Sequence, residues 1–239
     1  MGTRINRHLA ETGNCSRREA DRLIEAGKVF INGRRAVLGD IVEEGDEVRI
    51  GEKLASEKQK KVYLAFHKPI GVITTMDRNG TDTIMQALHK ARGKLPKERI
   101  FPVGRLDVAS AGLILFTNDS DLADRLLRSI GEHEKEYLVE VDKPVTDAAL
   151  KAMRVGINIL GRPTLPAKAE RVSERVFSLT IIEGRNRQIR RMCHAVGLEV
   201  VRLKRVRILN VELGTLKKGA WRYLTPEEIA ELKRIVLKK

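Results

Sequence analysis

A polar, unpatterned segment at residues 51–60, GEKLASEKQK, divides the chain into a short N-terminal part and a much longer C-terminal part. A stretch without apolar periodicity has no face to bury against a core, and it is typical of a linker. We therefore predict a domain over 1–50, a linker over 51–60 and a second domain over 61–239. Each domain must then build its own hydrophobic core.

The N-terminal part has the pattern of a helix pair followed by short strands. Ser16 and Glu19 have the spacing of a capping box, which predicts the start of the second helix. A short apolar strand over Val29 to Ile31 precedes Asn32-Gly33, a strong signal for a two-residue hairpin turn. Because two short helices and a few strands enclose little apolar volume, we expect only a small core here.

The C-terminal part alternates strand-like and helix-like segments without the regular order of a parallel α/β fold. Strands are predicted over 62–66, 100–103, 113–117, 136–141, 176–182 and 206–213. Helices are predicted after a cap at Asp82, after Asn118, around 189–196 and after Thr225. These elements favour an α+β domain with one large mixed, mainly antiparallel sheet flanked by helices.

The charge balance points to a polyanionic partner. Lys and Arg number 46 against 32 Asp and Glu, which leaves a net charge of +14. Residues 1–39 hold eight basic and four acidic side chains, whereas residues 40–60 hold four basic and seven acidic ones. We expect contacts with an RNA or DNA backbone from the basic residues of the helix pair and its flanks, namely Arg4, Arg7, Arg17, Arg18 and Lys28. The same composition also allows an ordinary solvated surface.

Several classes of protein are excluded by missing motifs. The sequence has no GxxxxGK[ST] or GxGxxG phosphate loop and no GxSxG elbow, and its histidines and cysteines lack metal-ligand spacing. Two cysteines, Cys15 and Cys193, cannot form a disulfide framework, so we expect a reducing cytoplasm. No apolar run reaches the roughly 18 residues of a membrane span, and we expect no membrane partner and no metal.

The first candidate site is the loop GRLD at 104–107. It lies between two apolar strands and is followed by small residues over 109–112, which let a ligand approach the backbone closely. Asp107 can act there as nucleophile or base if an arginine holds it ionised. An ordinary Arg-Asp surface turn is the alternative.

The second candidate site is the basic segment 183–207, which holds eight basic and two acidic residues. Its helix would turn Ile189 inward and carry Arg187, Arg190 and Arg191 on other faces. A half-buried arginine needs an anion, and Asp107 is the obvious one. A helix whose arginines are merely solvated is the alternative. Arg185 and Arg191 are expected to bind phosphates.

In order along the chain, these motifs resemble two known families. RINR at 4–7, CSRREA at 15–20 and the Asn32-Gly33 turn are similar to the S4 RNA-binding domain. KPIG at 68–71, GRLDVASAGLILFTND at 104–119, KEYLV at 135–139 and EGRNRQIRRM at 183–192 resemble RNA pseudouridine synthases. Together they indicate the RsuA/RluB/RluE/RluF family of ribosomal RNA pseudouridine synthases. HEKEYLVEVDKPVTD and GRNRQIRRMC are most similar to its RluF branch, which acts on 23S ribosomal RNA.

The resemblance implies roles for individual residues. Asp107 would start the isomerisation as nucleophile or base, with Arg190 ion-paired to it and Tyr137 stacked on the uracil. Arg105 would fill or brace the position that the everted uridine leaves. Substrate contacts are implied for four residues in all, Arg105, Leu106, Arg187 and Ile189.

The implied reaction converts a specific uridine in a stem-loop of 23S ribosomal RNA to pseudouridine. Because all atoms of the uridine remain in the product, no cofactor is implied. The implied enzyme is a monomer. The alternatives are the same chemistry on another ribosomal RNA or tRNA site, a non-catalytic S4 RNA-binding factor, or a glycosylase that releases free base.

Overall fold

The computed structural model describes residues 2–55, 59–77, 80–128 and 133–237. Within these ranges the chain forms two compact units. The first unit runs to Val62 and includes residues 96–100 and 118–120, and the second unit comprises 63–95, 101–117 and the residues from 121 onward. The sequence around the segments 96–100 and 118–120 carries no boundary signal, so the sequence pattern did not assign these residues to the first unit.

The first unit consists of a helix pair and short strands. Its elements are β1 (Thr3–Arg4), α1 (Ile5–Glu11), α2 (Arg17–Glu25), β2 (Val29–Ile31), β3 (Arg34–Arg35), β4 (Ile41–Val42), β5 (Val48–Ile50) and β6 (Lys53–Leu54). Strands β3, β2, β5 and β6 form an antiparallel sheet in that order, and β1 pairs with β4. Leu9 and Ile24 from the helices pack with Val29 from β2 in its core.

The predicted capping box and the predicted hairpin turn are both present in the first unit. Ser16 Oγ accepts a hydrogen bond from the Glu19 N–H at 3.2 Å, and the Glu19 carboxylate accepts one from the Ser16 N–H at 3.5 Å, which confirms the capping box. Asn32-Gly33 joins β2 to β3 with φ values of 50° and 80°, which confirms the hairpin turn. Both signals are local hydrogen-bond or backbone requirements, which explains why sequence alone predicts them.

The linker predicted over 51–60 contains a strand, and its residues 56–58 lie outside the described residues. Its residues 53 and 54 form β6, which pairs with β5 around a turn at Gly51. A two-residue strand is too short to show an apolar alternation, and for this reason the sequence pattern missed it.

The second unit contains the remaining elements. They are β7 (Tyr63–Lys68), α3 (Ile84–Lys90), β8 (Phe101–Val103), β9 (Ala111–Thr117), α4 (Ser120–Arg128), β10 (Lys135–Val141), α5 (Asp147–Val155), β11 (Asn158–Ile159), β12 (Arg162–Pro163), β13 (Lys168–Ser173), β14 (Val176–Ile181), α6 (Gln188–Ala195), β15 (Val200–Ile208), β16 (Val211–Glu212), β17 (Trp221–Tyr223) and α7 (Pro226–Leu237).

One large sheet organises this unit, in the strand order β13-β14-β10-β15-β9-β7-β17, with β8 on β9 and β16 on β15. Among the described strands of this sheet, every pair is antiparallel except β15 with β9. Residues of α5 and α6 pack with β10 and β14 in one core cluster, and residues of α4 and α7 pack with β7 and β9 in another. The prediction of an α+β domain with a mixed, mainly antiparallel sheet is confirmed.

The strand predicted over 206–213 is wrong. The chain turns at Leu209, whose φ is 51°, so that β15 ends at Ile208 and β16 returns against it. A leucine in the left-handed region carries no turn signal, and the apolar residues on both sides therefore resemble one continuous strand.

The helix cap predicted at Asp82 is also wrong. Thr83 caps α3, because its Oγ1 accepts the Gln86 N–H at 3.3 Å while the Gln86 side chain accepts the Thr83 N–H at 3.2 Å. Asp82 instead has a φ of 54°. Asp and Thr are both good caps, and the glutamine three residues after Thr83 was the signal that distinguishes them.

The parallel pairing of β9 with β15 depends on the glycine at position 112. Gly112 has a φ of 113° and pairs with Arg205. A Cβ at this position would overlap the carbonyl oxygen and amide nitrogen of Arg205, so only glycine lets the two backbones come this close. Since β9 follows directly on the GRLD loop, this contact determines where the loop leaves the sheet.

We expect Gly112→Ala to destabilise the protein more than an alanine at an open glycine with positive φ. Gly161→Ala is the matched control, because Gly161 has a φ of 79° and no atom within 4 Å of an added Cβ. The left-handed backbone alone should cost about 1–2 kcal/mol, and overlap at Gly112 should add roughly 1–3 kcal/mol. Urea denaturation measures both; equal losses would contradict the close approach.

Candidate active site

Asp107 lies in the loop that joins β8 to β9. Its side chain is 39% exposed and lines a small cavity of about 110 Å³ as well as a larger one of about 830 Å³. Leu106, directly before it, is buried and is held by Thr74, whose Oγ1 donates to the Leu106 carbonyl at 2.8 Å. The loop thus points a half-exposed carboxylate into a cleft while its neighbour is anchored in the core.

Lys68, at the end of β7, holds the backbone of this loop. The side chain is fully buried, and Nζ donates to the carbonyl oxygens of Pro69 at 3.0 Å, Asp107 at 3.1 Å and Ser110 at 2.8 Å. An ammonium group has three protons, so these three acceptors satisfy it completely. The sequence analysis named Lys68 only as part of the KPIG motif and did not predict that it holds the loop. The signal that could have shown this is a lysine that continues an apolar strand directly before a proline.

Arg187 is the cation nearest the Asp107 carboxylate. Its Nη1 lies 4.0 Å from Asp107 Oδ2, and the Arg187 side chain is 50% exposed. The residue immediately precedes α6 and has a φ of 50°, which costs a non-glycine residue about 1–2 kcal/mol. Because solvent screens a pair this exposed, it contributes at most about 1 kcal/mol to stability.

The ion pair expected between Arg190 and Asp107 is not formed. Arg190 instead donates from Nη1 to the Val200 carbonyl at 3.0 Å and from Nη2 to the Ala109 carbonyl at 2.9 Å. Burial, followed by repulsion from Arg187, lowers the pKa of Arg190. A partly buried guanidinium needs acceptors, and these two main-chain oxygens supply them in place of the carboxylate. Arg190 therefore ties α6 to the loop that carries Asp107.

The small cavity brings the predicted site residues together. Tyr137 on β10 is 7% exposed, and Ile189 on α6 is 4% exposed. With Leu203 from β15 they form apolar walls beside the Asp107 carboxylate. All the predicted catalytic and substrate-binding residues line this one cavity: Arg105, Leu106, Asp107, Tyr137, Arg187, Ile189 and Arg190.

The basic residues predicted to bind RNA in this unit differ in their availability. Arg185 is ion-paired with Glu183 at 3.1 Å and donates to the carbonyls of Arg162 and Pro163. Its guanidinium is therefore occupied by protein acceptors, which corrects the expectation that it is free for phosphate. Arg191 is exposed and contacts Asn186, with Nε donating to the carbonyl at 3.1 Å.

In the first unit, most of the predicted RNA-binding residues are exposed. Arg7 is the exception, since it is partly buried and its Nε is paired with Glu11 at 2.8 Å. The exposed residues are Arg4, Arg17, Arg18 and Lys28. They lie at the start of α1, along the first turn of α2 and before β2, a placement that leaves their charges accessible to a polyanion.

Three further features of the described residues bear on function: clusters of metal ligands, membrane-spanning helices and the cysteine thiols. Within those ranges no three side chains of His, Cys, Asp or Glu gather as metal ligands would. In the same part of the chain, none of the helices has the length and apolar character to cross a membrane. Both cysteines are buried, and burial raises the pKa of Cys193 to about 12, which disfavours its thiolate.

Comparison with known proteins gives matches over nearly the whole chain. The RNA pseudouridylate synthase family model matches residues 62–195, and the S4 domain model matches residues 3–48. A solved structure, "Crystal structure of pseudouridylate synthase", is similar with a TM-score of 0.69 at 32% identity, covering 96% of this chain and 99% of that one. The chain therefore belongs to the RNA pseudouridylate synthase family, whose members are isomerases.

Its relatives also carry more particular names. The chain is 44% identical over 236 residues to the dual-specificity RNA pseudouridine synthase RluF of Salmonella typhi, covering 98% of this chain and 80% of that protein. It is 37% identical to the ribosomal large subunit pseudouridine synthase B of Shigella flexneri, covering 99% and 84% respectively. The resemblance to the RsuA/RluB/RluE/RluF family, nearest its RluF branch, is confirmed.

We expect Lys68 to make stability depend on alkaline pH. Burial lowers the pKa of Lys68 from 10.5 to about 8, so between these values the unfolded chain binds more protons than the folded one. The free energy of unfolding should therefore rise with pH across that window, by up to about 3 kcal/mol, relative to Lys68→Met. Urea denaturation from pH 7.5 to 10.5 measures the difference, and parallel curves for the two proteins would refute it.

Substitutions of Arg187 and of Arg190 should have different effects on activity and on stability. Arg190→Ala removes two hydrogen bonds to the main chain and should lower the free energy of unfolding by about 1–3 kcal/mol. Arg187→Ala should change stability by no more than about 1 kcal/mol but lower kcat at least about tenfold. Urea denaturation and single-turnover assays on RNA measure both, with Arg187→Lys as the charge-preserving control. A stability loss confined to Arg187→Ala would reverse these assignments.

Proposed function

We propose that this protein isomerises a specific uridine in a folded stem-loop of ribosomal RNA to pseudouridine, with Asp107 as the group that starts the reaction. One observation carries the proposal: the Asp107 carboxylate stands at a small cavity with apolar walls, on a loop whose backbone Lys68 holds through two carbonyls. The ribosomal substrate is supported by the name of the relative from Shigella flexneri.

The reaction breaks the bond between the ribose and N1 of uracil, rotates the base and forms a carbon–carbon bond in its place. No atom is gained or lost overall, because C5 gives up a proton when the carbon–carbon bond forms and N1 gains one. The chain therefore has to supply positioning, one group that starts the exchange and a route for this proton. Asp107 serves as nucleophile or base in this proposal. Preorganisation of its loop by Lys68 means that substrate binding does not have to order the carboxylate, which lowers the entropic part of the barrier.

The uracil ring is held by the walls of the small cavity. Tyr137 offers a buried ring for stacking, and Ile189 and Leu203 offer aliphatic contacts. Arg187 lies close enough to the carboxylate to stabilise its charge, yet it is exposed enough to move when RNA enters.

The target uridine has to leave its base stack, at a cost of a few kcal/mol. Arg105 is exposed and lines the small cavity and both larger cavities beside it. This position suits a side chain that braces the helix where the base has left. Because A-form grooves offer little sequence information to side chains, the shape of a stem-loop is the feature that such a site would recognise.

The S4 domain supplies a second RNA contact. The exposed charges of Arg4, Arg17, Arg18 and Lys28 would neutralise phosphates and make affinity fall steeply with salt. A stem-loop of 23S ribosomal RNA is the substrate that we propose. The RluF relatives are named dual-specificity enzymes, which favours a test for a second RNA substrate, and tRNA is the alternative that the sequence analysis leaves open.

We expect Asp107→Asn to lose more than about 99% of the turnover while the Kd for RNA changes no more than a few-fold, since the charge is needed for reaction rather than binding. Ribosomal RNA from cells that lack the protein is treated with each variant, digested to nucleosides and analysed for pseudouridine. Asp124→Asn, on the exposed side of α4, is the matched control and should keep full activity.

The same digest separates the proposal from its alternatives. Pseudouridine made by the wild type but not by Asp107→Asn supports the isomerase mechanism. Free uracil with abasic sites would indicate a glycosylase, and tight binding without any new nucleoside would indicate a non-catalytic RNA-binding factor. Residual turnover of Asp107→Asn above about 1% would remove Asp107 as the essential group.

A further inference from the structure

A cavity of about 910 Å³ adjoins the uracil site. It shares Arg105 and Tyr137 with the small cavity, so the two are neighbouring parts of one cleft. Aliphatic side chains from the end of α4 and from the β12–β13 connection form much of its wall, among them Leu126, Leu127 and Leu165. The proposed reaction assigns no role to this larger space.

Two basic side chains line this cavity from neighbouring strands. Arg205 on β15 is 4% exposed; its Nε donates to the Leu113 carbonyl at 2.7 Å, while its Nη2 is buried without a hydrogen-bond partner. Lys135 on β10 is partly buried and donates to the His133 carbonyl at 3.3 Å. Arg205 pairs in register with Tyr137, and Lys135, two residues before Tyr137, lies on the same face of β10.

Neither cation has a carboxylate partner among the described residues. Glu134 and Glu136, on either side of Lys135, pair with Arg207 at 3.0 Å and 2.8 Å. Glu183, the carboxylate that lines the same cavity, is paired with Arg185. Burial lowers the pKa of Lys135, and repulsion from Arg205 lowers it further. Two like charges taken from water without a counter-charge are costly, which makes this part of the cavity a place for an anion.

We propose that Lys135 and Arg205 form a subsite for one phosphodiester group of the RNA strand that carries the target uridine. The inference rests on the proposed function in one respect, that the substrate is RNA. The Arg205 guanidinium and the Lys135 ammonium group line the same cavity, and two such cations suit the tetrahedral oxygens of a phosphate. The aliphatic walls fit the adjoining ribose and base, and Arg105 connects this subsite to the uracil cavity.

The subsite would place the strand as well as attract it. A phosphate held next to Tyr137 constrains the nucleotide beside the target uridine, which favours the everted geometry over the stacked one. Loss of the subsite should therefore raise KM and also lower kcat.

The test compares Lys135→Met with two other variants of the full-length protein. Lys135→Arg keeps the charge, and Lys168→Met removes a lysine that pairs with Glu134 and lies, by strand register, on the opposite face of the sheet. The Kd for a ribosomal RNA stem-loop is measured from 50 to 300 mM potassium chloride. Lys135→Met should weaken binding about tenfold and reduce the slope of log affinity against log salt by about 0.7–0.9, the value for one phosphate contact.

Lys135→Arg should keep the wild-type slope, and so should Lys168→Met. A wild-type slope in Lys135→Met, or an equal loss in Lys168→Met, would overturn the proposal. Arg205 is not used for the test, because its buried bond to Leu113 makes misfolding an expected result of substitution.

A second measurement needs no RNA and no turnover. Inorganic phosphate, at matched ionic strength against chloride, should raise the Tm of the wild type more than that of Lys135→Met. Equal shifts would overturn the anion subsite. If the wild type made no pseudouridine but still showed this phosphate-dependent difference, the proposed function would fail while the anion subsite stood, so the two failures are distinguishable.

Discussion

The site depends first on one buried ammonium group. Lys68 gives its three protons to main-chain carbonyls, two of which belong to the loop that carries Asp107. Lysine is costly to bury, and this one is accommodated because every proton has an acceptor. The Thr74 hydroxyl also holds this loop, because it donates to the Leu106 carbonyl. The carboxylate can therefore be half exposed and still well placed, since its position comes from the backbone and not from its own contacts.

The arginines of the basic segment divide by burial into different tasks. Arg190 and Arg185 are held by protein acceptors. Arg190 connects α6 to β15 and to the loop that carries Asp107, and Arg185 connects the segment before α6 to β12. Arg187 keeps an exposed guanidinium 4.0 Å from the carboxylate. Some arginines of this segment therefore hold the fold together, while others keep a guanidinium that is available for an anion. Arg205 and Lys135, which lack carboxylate partners among the described residues, line the neighbouring cavity, where we propose the phosphate subsite.

Sequence patterns predicted several elements whose requirement is local, although the Asp82 cap was wrong for an equally local reason. The Ser16–Glu19 capping box, the Asn32-Gly33 turn and the alternation along β10 each depend on a few adjacent residues. The predictions failed where a neighbour in space decided the outcome. Arg190 bonds Ala109, which is 81 residues away in the chain, because the folded loop presents a carbonyl there. The turn at Leu209 is local, and it was missed because a leucine carries no turn signal.

The motifs by themselves determined the family, the α+β class and the set of residues around the cavity, because each motif is a short run whose residue types the chemistry restricts. Only the tertiary structure decided which arginine stands beside Asp107, that Lys68 anchors the loop, and that Arg205 is buried with an unused donor. Those facts depend on distances between groups that are far apart in the chain. The order of residues specifies which groups are present, and packing determines which of them meet and which are left without a partner.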